Sequence, residues 1–237
     1  MYTNLTNDYL TGKKFTNGAK VSLKNLKCSS ASRDEYLVKM CENKKVLHFG
    51  FLDHLPLIDG KIEADRWLHK KLMGVSKVCY GLDLDKKGVE YIQSKYNYEN
   101  LYALDILKDE LPDEIQDESF DYILVPDVIE HLGNPVQFLT AIRQRLMKNT
   151  KKMFITVPHA LRYNNILNSF KDIEHVNSDH RFWFTPYTIA KIVTDAGFVL
   201  EKISLTEHGG FTRNQIFKKM LVSKYPVLHD TLIAEVR

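Results

Sequence analysis

The stretch that decides the fold runs from Lys45 to Asp85: KVLHFGFLDH at 45–54, an intervening amphipathic run, then KVCYGLDLD at 77–85. Val46-Leu47-His48-Phe49 is a short apolar run that breaks at Gly50, and Val78 to Leu82 is a second one that ends on Asp83. Two buried strands of this kind, one closed by a glycine and the next by an acid, predict neighbouring strands of a doubly wound α/β sheet. In such a sheet a ligand lies across the carboxyl ends of the strands. The glycine lets backbone approach the ligand, and the acid can accept both hydroxyls of a ribose.

Outward from that pair, strands and helices alternate. Ser30 or Ser32 caps a helix through Glu35 to Met40 that ends near Asn43. Leu55 to Gly60 reads as a loop because of its Pro and Gly, and Glu63 to Gly74 as a helix. Lys86 to Lys95 is a further helix, followed by a third strand, Asn100 to Leu104, ending at Asp105. An acidic loop leads to a fourth strand, Phe120 to Val125, which runs into PDVIEHL at 126–132. Asn134-Pro135 opens a helix through Leu146; Met153 to Val157 is a fifth strand, and 158–184 is an aromatic, His-rich insert. Thr185-Pro186 starts a helix that stops at Ala196-Gly197, and Phe198 to Leu205 and Leu232 to Val236 are the last strands. The expectation is a Rossmann-like α/β domain over 45–237, with a mostly parallel seven-stranded sheet and helices on both faces, preceded by an N-terminal extension and helix over 1–44.

Composition narrows the class. Apolar residues are 44% and charged residues 27% of 237, the balance of an ordinary globular protein. A net charge of +3 makes no electrostatic case for nucleic acid. No segment has the length and apolarity of a membrane span or the pattern of a leader peptide, so a cytoplasmic protein without a membrane partner is expected, as a monomer or homodimer. Cys28, Cys41 and Cys79 lack metal-binding or disulfide spacing.

The set VLHFG, YGLDLD, ALDI, FDYILVPDVIEHLGNP, ITVPH and DHRFWFTPYTIAKIVTDAGF resembles a class I S-adenosylmethionine-dependent methyltransferase over about Lys45 to Leu205. It is similar to the branch whose fourth strand runs into E-H-L, which includes ubiquinone-pathway and glycan or small-molecule O-methyltransferases. The resemblance implies S-adenosylmethionine as cofactor. Phe49, Gly50 and Phe51 would meet its methionine part, and Asp83 and Leu84 its ribose. Asp105 and Ile106 would flank the adenine, while Val125, Pro126 and Asp127 would close the pocket beneath the sulfonium. The usual run of glycines after the first strand is replaced by Phe51-Leu52-Asp53-His54, which leaves less room for backbone approach. In the longer interval that follows, His69 or Arg66 is placed to reach the ligand.

For the chemistry, His180 and then His131 are the candidate general bases, with His159 and His175 in the same insert. The expected reaction is O-methylation of a small polar or glycan-type acceptor, with nucleic acid not expected as partner. Asp127, Glu130 and His131 form D-x-x-E-H. This resembles the magnesium motif E-x-x-E-H of ubiquinone-pathway and small-RNA 2′-O-methyltransferases, the latter also using a downstream histidine where His180 stands here. E-H-L is widespread in relatives that need no metal. The site is therefore read as metal-free, with Asp127, Glu130, His131 and His180 the candidates for holding magnesium. Two alternatives stay open beside it: a metal-assisted RNA 2′-O-methyltransferase, and a catalytically weak methyltransferase-like binding protein. A nicotinamide-dependent oxidoreductase shares the strand logic, but the chain has no G-x-G-x-x-G.

Overall fold

A computed structural model describes residues 4–212 and 215–237. The elements in chain order are α1 (Asn4–Leu10), β1 (Lys27–Cys28), α2 (Arg33–Met40), β2 (Lys45–Phe49), α3 (Leu55–Glu63), α4 (Leu68–Val75), β3 (Val78–Asp83), α5 (Lys86–Tyr96) and β4 (Leu101–Ala103). There follow α6 (Asp113–Gln116), β5 (Phe120–Pro126), α7 (Pro135–Leu146), β6 (Thr150–Pro158), α8 (Tyr163–Ser169), α9 (Pro186–Asp195), β7 (Leu200–Thr206), α10 (Ile216–Lys224) and β8 (Thr231–Val236).

The strands form one sheet in the order β1-β7-β8-β6-β5-β2-β3-β4. All neighbours pair in parallel except β8, which runs antiparallel between β6 and β7. The chain reverses its winding between β2 and β5, so the crevice at their carboxyl ends is the topological switch point where such sheets bind ligands. The sheet has eight strands rather than the seven expected. The extra one, β1, comes from the N-terminal extension and pairs Lys27 and Cys28 with Ser204 and Leu205 of β7. Two residues of a polar segment carry no alternating pattern, so that edge strand has no signature in the sequence.

Successive strand residues face opposite layers. Leu47, Ile123 and Ile155 point to one core with Leu139 and Ile142 of α7 and Ile189 and Val193 of α9. Val46, Leu124 and Phe154 point to the other, against Leu37 of α2 and Leu72 of α4. Helix starts follow their caps. Ser32 and Glu35 form a reciprocal capping box, Asn134 caps α7 through the Gln137 N–H, and Thr185 caps α9 with Pro186 in its first turn.

The segment 55–75 departs from expectation. Leu55–Glu63 is a helix, and the helix expected from Glu63 to Gly74 begins only at Leu68, after Asp65 adopts a left-handed conformation. Pro56 lies in the first turn, where its missing N–H costs nothing, and Gly60 is carried by the burial of Ile58 and Ile62 on either side. The insert contains a short helix, α8, and α10 lies where no element was expected. Cys41 and Cys79 are buried free thiols and Cys28 is an exposed one. Among the described residues no helix is long and apolar enough to cross a membrane.

Candidate active site

β2 ends at the switch point with Phe49 buried, its ring meeting Phe138 edge-on at 5.8 Å. Gly50 then takes φ +66°, and a Cβ built there would stand 2.4 Å from Cγ2 of Val128. Only glycine fits this turn on both counts. The bulky residues that replace the expected glycines fold away from the crevice. Phe51 is buried beside Trp67 and His69, and the Trp67 indole N–H donates to the Phe51 carbonyl at 2.8 Å. Space for Phe51 comes from Gly81 on β3, where a Cβ would meet its ring at 2.7 Å. Space for Leu52 comes from Gly88 on α5, where a Cβ would meet Leu52 at 2.6 Å. The backbone of 50–52 thus borders the crevice while its side chains fill the core behind it.

Asp83 ends β3 and is half-buried. Its carboxylate accepts the Leu52 N–H at 3.1 Å and the Asp85 N–H at 3.1 Å, which fixes it at the rim of the Gly50 turn. Burial raises its pKa. Each carboxylate oxygen keeps a second lone pair, so two ribose hydroxyls can still donate to it. Leu84 is exposed. Asp105 accepts the Leu107 N–H at 3.0 Å and pairs with Lys108 at 2.9 Å. Ile106 is buried, as are Val125 and Pro126 at the end of β5. Cavities of about 410 and 490 Å³ open around the loop after β4, the first bordered by Leu104 and the second by Ile106. Neither is lined by Gly50 or Asp83.

Beyond β5 the chain turns sharply. Asp127 has φ +52° and its carboxylate is gripped by three groups: Arg33 of α2 in an ion pair, the Thr156 hydroxyl donating at 2.8 Å, and His208 Nε2 at 3.5 Å. Burial would raise its pKa, but the Arg33 charge and these hydrogen bonds hold it well below the ordinary carboxylate range. Asp127 is accordingly a fixed, charged anchor for the turn. Arg33 also pairs with Asp34 at 2.7 Å, so its guanidinium bridges two carboxylates.

The helical turn 129–131 then presents Glu130 and His131, and His180 arrives from the insert. The link is built by backbone: the Arg181 N–H donates to the Glu130 carbonyl at 2.8 Å. The two imidazoles meet edge-to-face at 4.7 Å between centroids. One donor atom each from Glu130, His131 and His180 lie within 4.8 Å of one another. Glu130 is fully buried, and among the described residues neither of its carboxyl oxygens has a hydrogen-bond partner; His180 Nδ1 is likewise buried without a partner there. Burial, reinforced by the negative charge of Asp127, pushes the Glu130 carboxyl up to about 9. Burial and the neighbouring His131 lower the His180 pKa. A buried carboxyl group with both oxygens unmet costs on the order of 1–3 kcal/mol per unsatisfied group, a cost that a ligand meeting it would offset. A carboxylate and two imidazoles facing one point are a donor set for a divalent cation.

The other histidines of the insert do not join this set. His159 is buried and bonds the His229 carbonyl through Nδ1 at 3.0 Å, while His175 is exposed. His69, expected near the ligand, points into the core, where its Nδ1 lies 3.1 Å from Nδ1 of His48; Arg66 is exposed. Asp127 stands beside the Glu130 set, held by Arg33, rather than in it. No motif marks Arg33, Thr156 or His208, because their relation to Asp127 exists only once α2, β6 and the loop after β7 are assembled. On the outer side of His180 stands Trp183, stacked by the Arg162 guanidinium at 4.7 Å.

A family model described as a methyltransferase domain matches residues 60–203. No curated protein matches the chain in sequence. Among solved structures, the small RNA methyltransferase HEN1 superposes over 94% of this chain and 26% of its own, with 19% identity and a TM-score of 0.57. This chain therefore spans about a quarter of that protein. The magnesium protoporphyrin IX methyltransferase ChlM of Synechocystis PCC 6803 with bound SAH shares 14% identity over 86% of this chain and 80% of its own, TM-score 0.53. A putative methyltransferase of Haloferax volcanii in complex with the Trm112 activator shares 16% identity over 85% and 86%, TM-score 0.54. At these identities the likeness is one of fold.

Proposed function

The chain belongs to the methyltransferase-domain family, and from that premise we propose that it methylates a hydroxyl oxygen of a polar acceptor, with S-adenosylmethionine as donor and a divalent cation held by Glu130, His131 and His180. The observation that carries this reading is the Glu130 carboxylate, buried and unmet beside two imidazoles.

S-adenosylmethionine supplies an already activated methyl group, so what the chain must do is hold donor and acceptor in line. Aligned placement lowers a barrier by about 7–11 kcal/mol in the best-oriented cases. The Gly50 turn and the Asp83 carboxylate fit the donor: a glycine-only bend beside an acid fixed by two backbone N–H groups. Glu130, His131 and His180 would hold a divalent cation, which would polarise an acceptor hydroxyl so that its proton leaves to solvent as the O–C bond forms and the S–C bond of the donor breaks. Glu130 and His131 come from the turn after β5 and His180 from the insert, so the set joins the donor side to the acceptor side. Asp127, clamped by Arg33 and Thr156, holds that turn in place and keeps a fixed negative charge beside it. Trp183 and the exposed Phe182 offer aromatic faces next to His180, which suit the apolar face of a sugar ring.

The acceptor we favour is therefore a sugar-containing compound. A ribose hydroxyl of RNA is the alternative, in keeping with the small RNA methyltransferase among the structural neighbours. The test begins with protein stripped of divalent ions and titrated calorimetrically with Mn²⁺, in the wild type and in Glu130→Gln. Methyl transfer to a panel of glycans, nucleosides and short RNAs is then followed with and without chelator. The expected outcome is one saturable Mn²⁺ site, lost in Glu130→Gln, with transfer to a hydroxyl that chelator abolishes. Transfer that ignores both chelator and the substitution would return the reaction to His180 acting as a metal-free base.

A further inference from the structure

Eleven of the seventeen large apolar side chains exposed among the described residues fall in two segments, 161–182 and 216–225. Both spring from one rim of the sheet. α8 follows the carboxyl end of β6 and α10 precedes β8, which pairs antiparallel with β6 and β7 through Pro158–Thr231 and Thr206–Thr231. The His159 N–H donates to the Asp230 carbonyl at 2.8 Å, which ties the two segments at their roots. His180 also lies at that end of the sheet, in the same insert as α8.

The orientation of α10 is fixed by what it buries. Lys218 turns inward to an ion pair with Glu207, and Val222 is buried, which leaves Ile216, Phe217 and Met220 outward at 76, 62 and 60% exposure. Phe170, just past α8, is 81% exposed and Ile173 55%. Basic residues accompany these apolar tips: Lys171 follows Phe170, Lys219 lies between Phe217 and Met220, and Lys224 sits over the Tyr225 ring at 5.4 Å. Lys171, Lys219 and Lys224 make no ion pair among the described residues, and 216–225 contains no acidic residue. The carboxylates of the other segment, Asp172, Glu174 and Asp179, lie in the loop between α8 and His180.

Apolar and aromatic tips on exposed helices and the residues that follow them, with unpaired lysines beside them, match a bilayer interface, where rings enter the acyl boundary and ammonium groups reach the headgroups. We infer that this rim docks on an anionic membrane surface and presents the acceptor mouth to it. The chain has no spanning helix among its described residues, so the contact is peripheral, and the expectation of no membrane partner is revised to that extent. The inference stands independently of the cation site.

The test is vesicle flotation of the full chain on phosphatidylcholine alone and on phosphatidylcholine with about 30% phosphatidylglycerol. The expected result is binding to the anionic vesicles only, weakened about tenfold in Phe217→Ser/Met220→Ser and to a similar extent in Lys219→Glu/Lys224→Glu. All these side chains are exposed, so unchanged thermal unfolding accompanies the loss. Absence of binding to anionic vesicles, equal binding to neutral ones, or binding undiminished in both variants overturns it. So does light scattering that shows a dimer which Phe217→Ser/Met220→Ser dissociates, since the surface would then belong to a second copy.

Discussion

At the residue scale two side chains and one missing side chain carry the account. Glu130 is buried without a hydrogen-bond partner among the described residues, a cost that a bound ligand would offset. Replacing it by Gln keeps the shape and removes the charge, so Mn²⁺ affinity should collapse while S-adenosylhomocysteine affinity is unchanged, as read by two calorimetric titrations. Asp127→Ala should act differently. It leaves the Arg33 guanidinium short of a partner and should lower stability by about 1–3 kcal/mol in denaturant titration, with part of the activity lost through the displaced turn. Gly50→Ala combines a left-handed backbone with a Cβ meeting Val128, and the left-handed conformation alone costs about 1–2 kcal/mol. Adding Val128→Ala should recover the steric part and leave the conformational part. Gly50, Asp83, Glu130, His131 and His180 could all be singled out in the sequence because each sits at a strand end or in a short motif. Arg33 could not: 94 residues separate it from Asp127, and nothing in its own helix marks it.

At the scale of elements, local chemistry was readable where it acts locally. Ser32, Asn134 and Thr185 cap helices because a side-chain oxygen placed before an apolar run meets a free N–H, and that needs no tertiary context. Leu55 to Gly60, which reads as a loop, is helical for the converse reason: Pro and Gly signal a turn, but burial of Ile58 and Ile62 outweighs their propensities. The loop after β2 teaches the same lesson from the other side. Its Phe51 and Leu52, which stand where glycines are expected, are housed by glycines on two other elements, Gly81 and Gly88. A Gly81→Ala substitution should therefore disturb a loop some thirty residues away. Overpacking of the Phe51 ring should cost about 1–3 kcal/mol and weaken S-adenosylhomocysteine binding, while an added Phe51→Leu relieves part of both, measured by thermal shift with and without the ligand.

For the whole molecule, the alternation of strands and helices was sufficient to give the parallel sheet and its switch point, since each strand reads as a buried run with a helix after it. The eighth strand and α10 were not foreseen, because two edge residues and one helix with an exposed apolar face carry no core pattern. Stability of the whole chain should depend on pH through the buried pair His48 and His69. Burial holds His48 well below its ordinary value and His69 at about 3, with Arg33 adding to the effect on His48 and Cys79 lying 3.8 Å from His69. The unfolded chain takes up protons at these sites below about pH 6.5 while the folded chain does not, so their contribution is present above that pH and is lost as pH falls. His69 should account for about 2 kcal/mol between neutral pH and about pH 5, His48 should act in the same direction, and His48→Leu/His69→Leu should flatten the slope of the unfolding midpoint over that window.

The claim on which the rest depends is that the turn at Gly50 and the acid at Asp83 grip an adenosyl donor. Isothermal titration of S-adenosylhomocysteine into the wild-type chain and into Asp83→Ala tests it directly. The account predicts saturable one-site heat in the wild type, weakened at least tenfold in Asp83→Ala as two ribose hydrogen bonds to a carboxylate are lost, each worth about 1.5–3 kcal/mol. A wild-type titration without heat and without thermal stabilisation would contradict it.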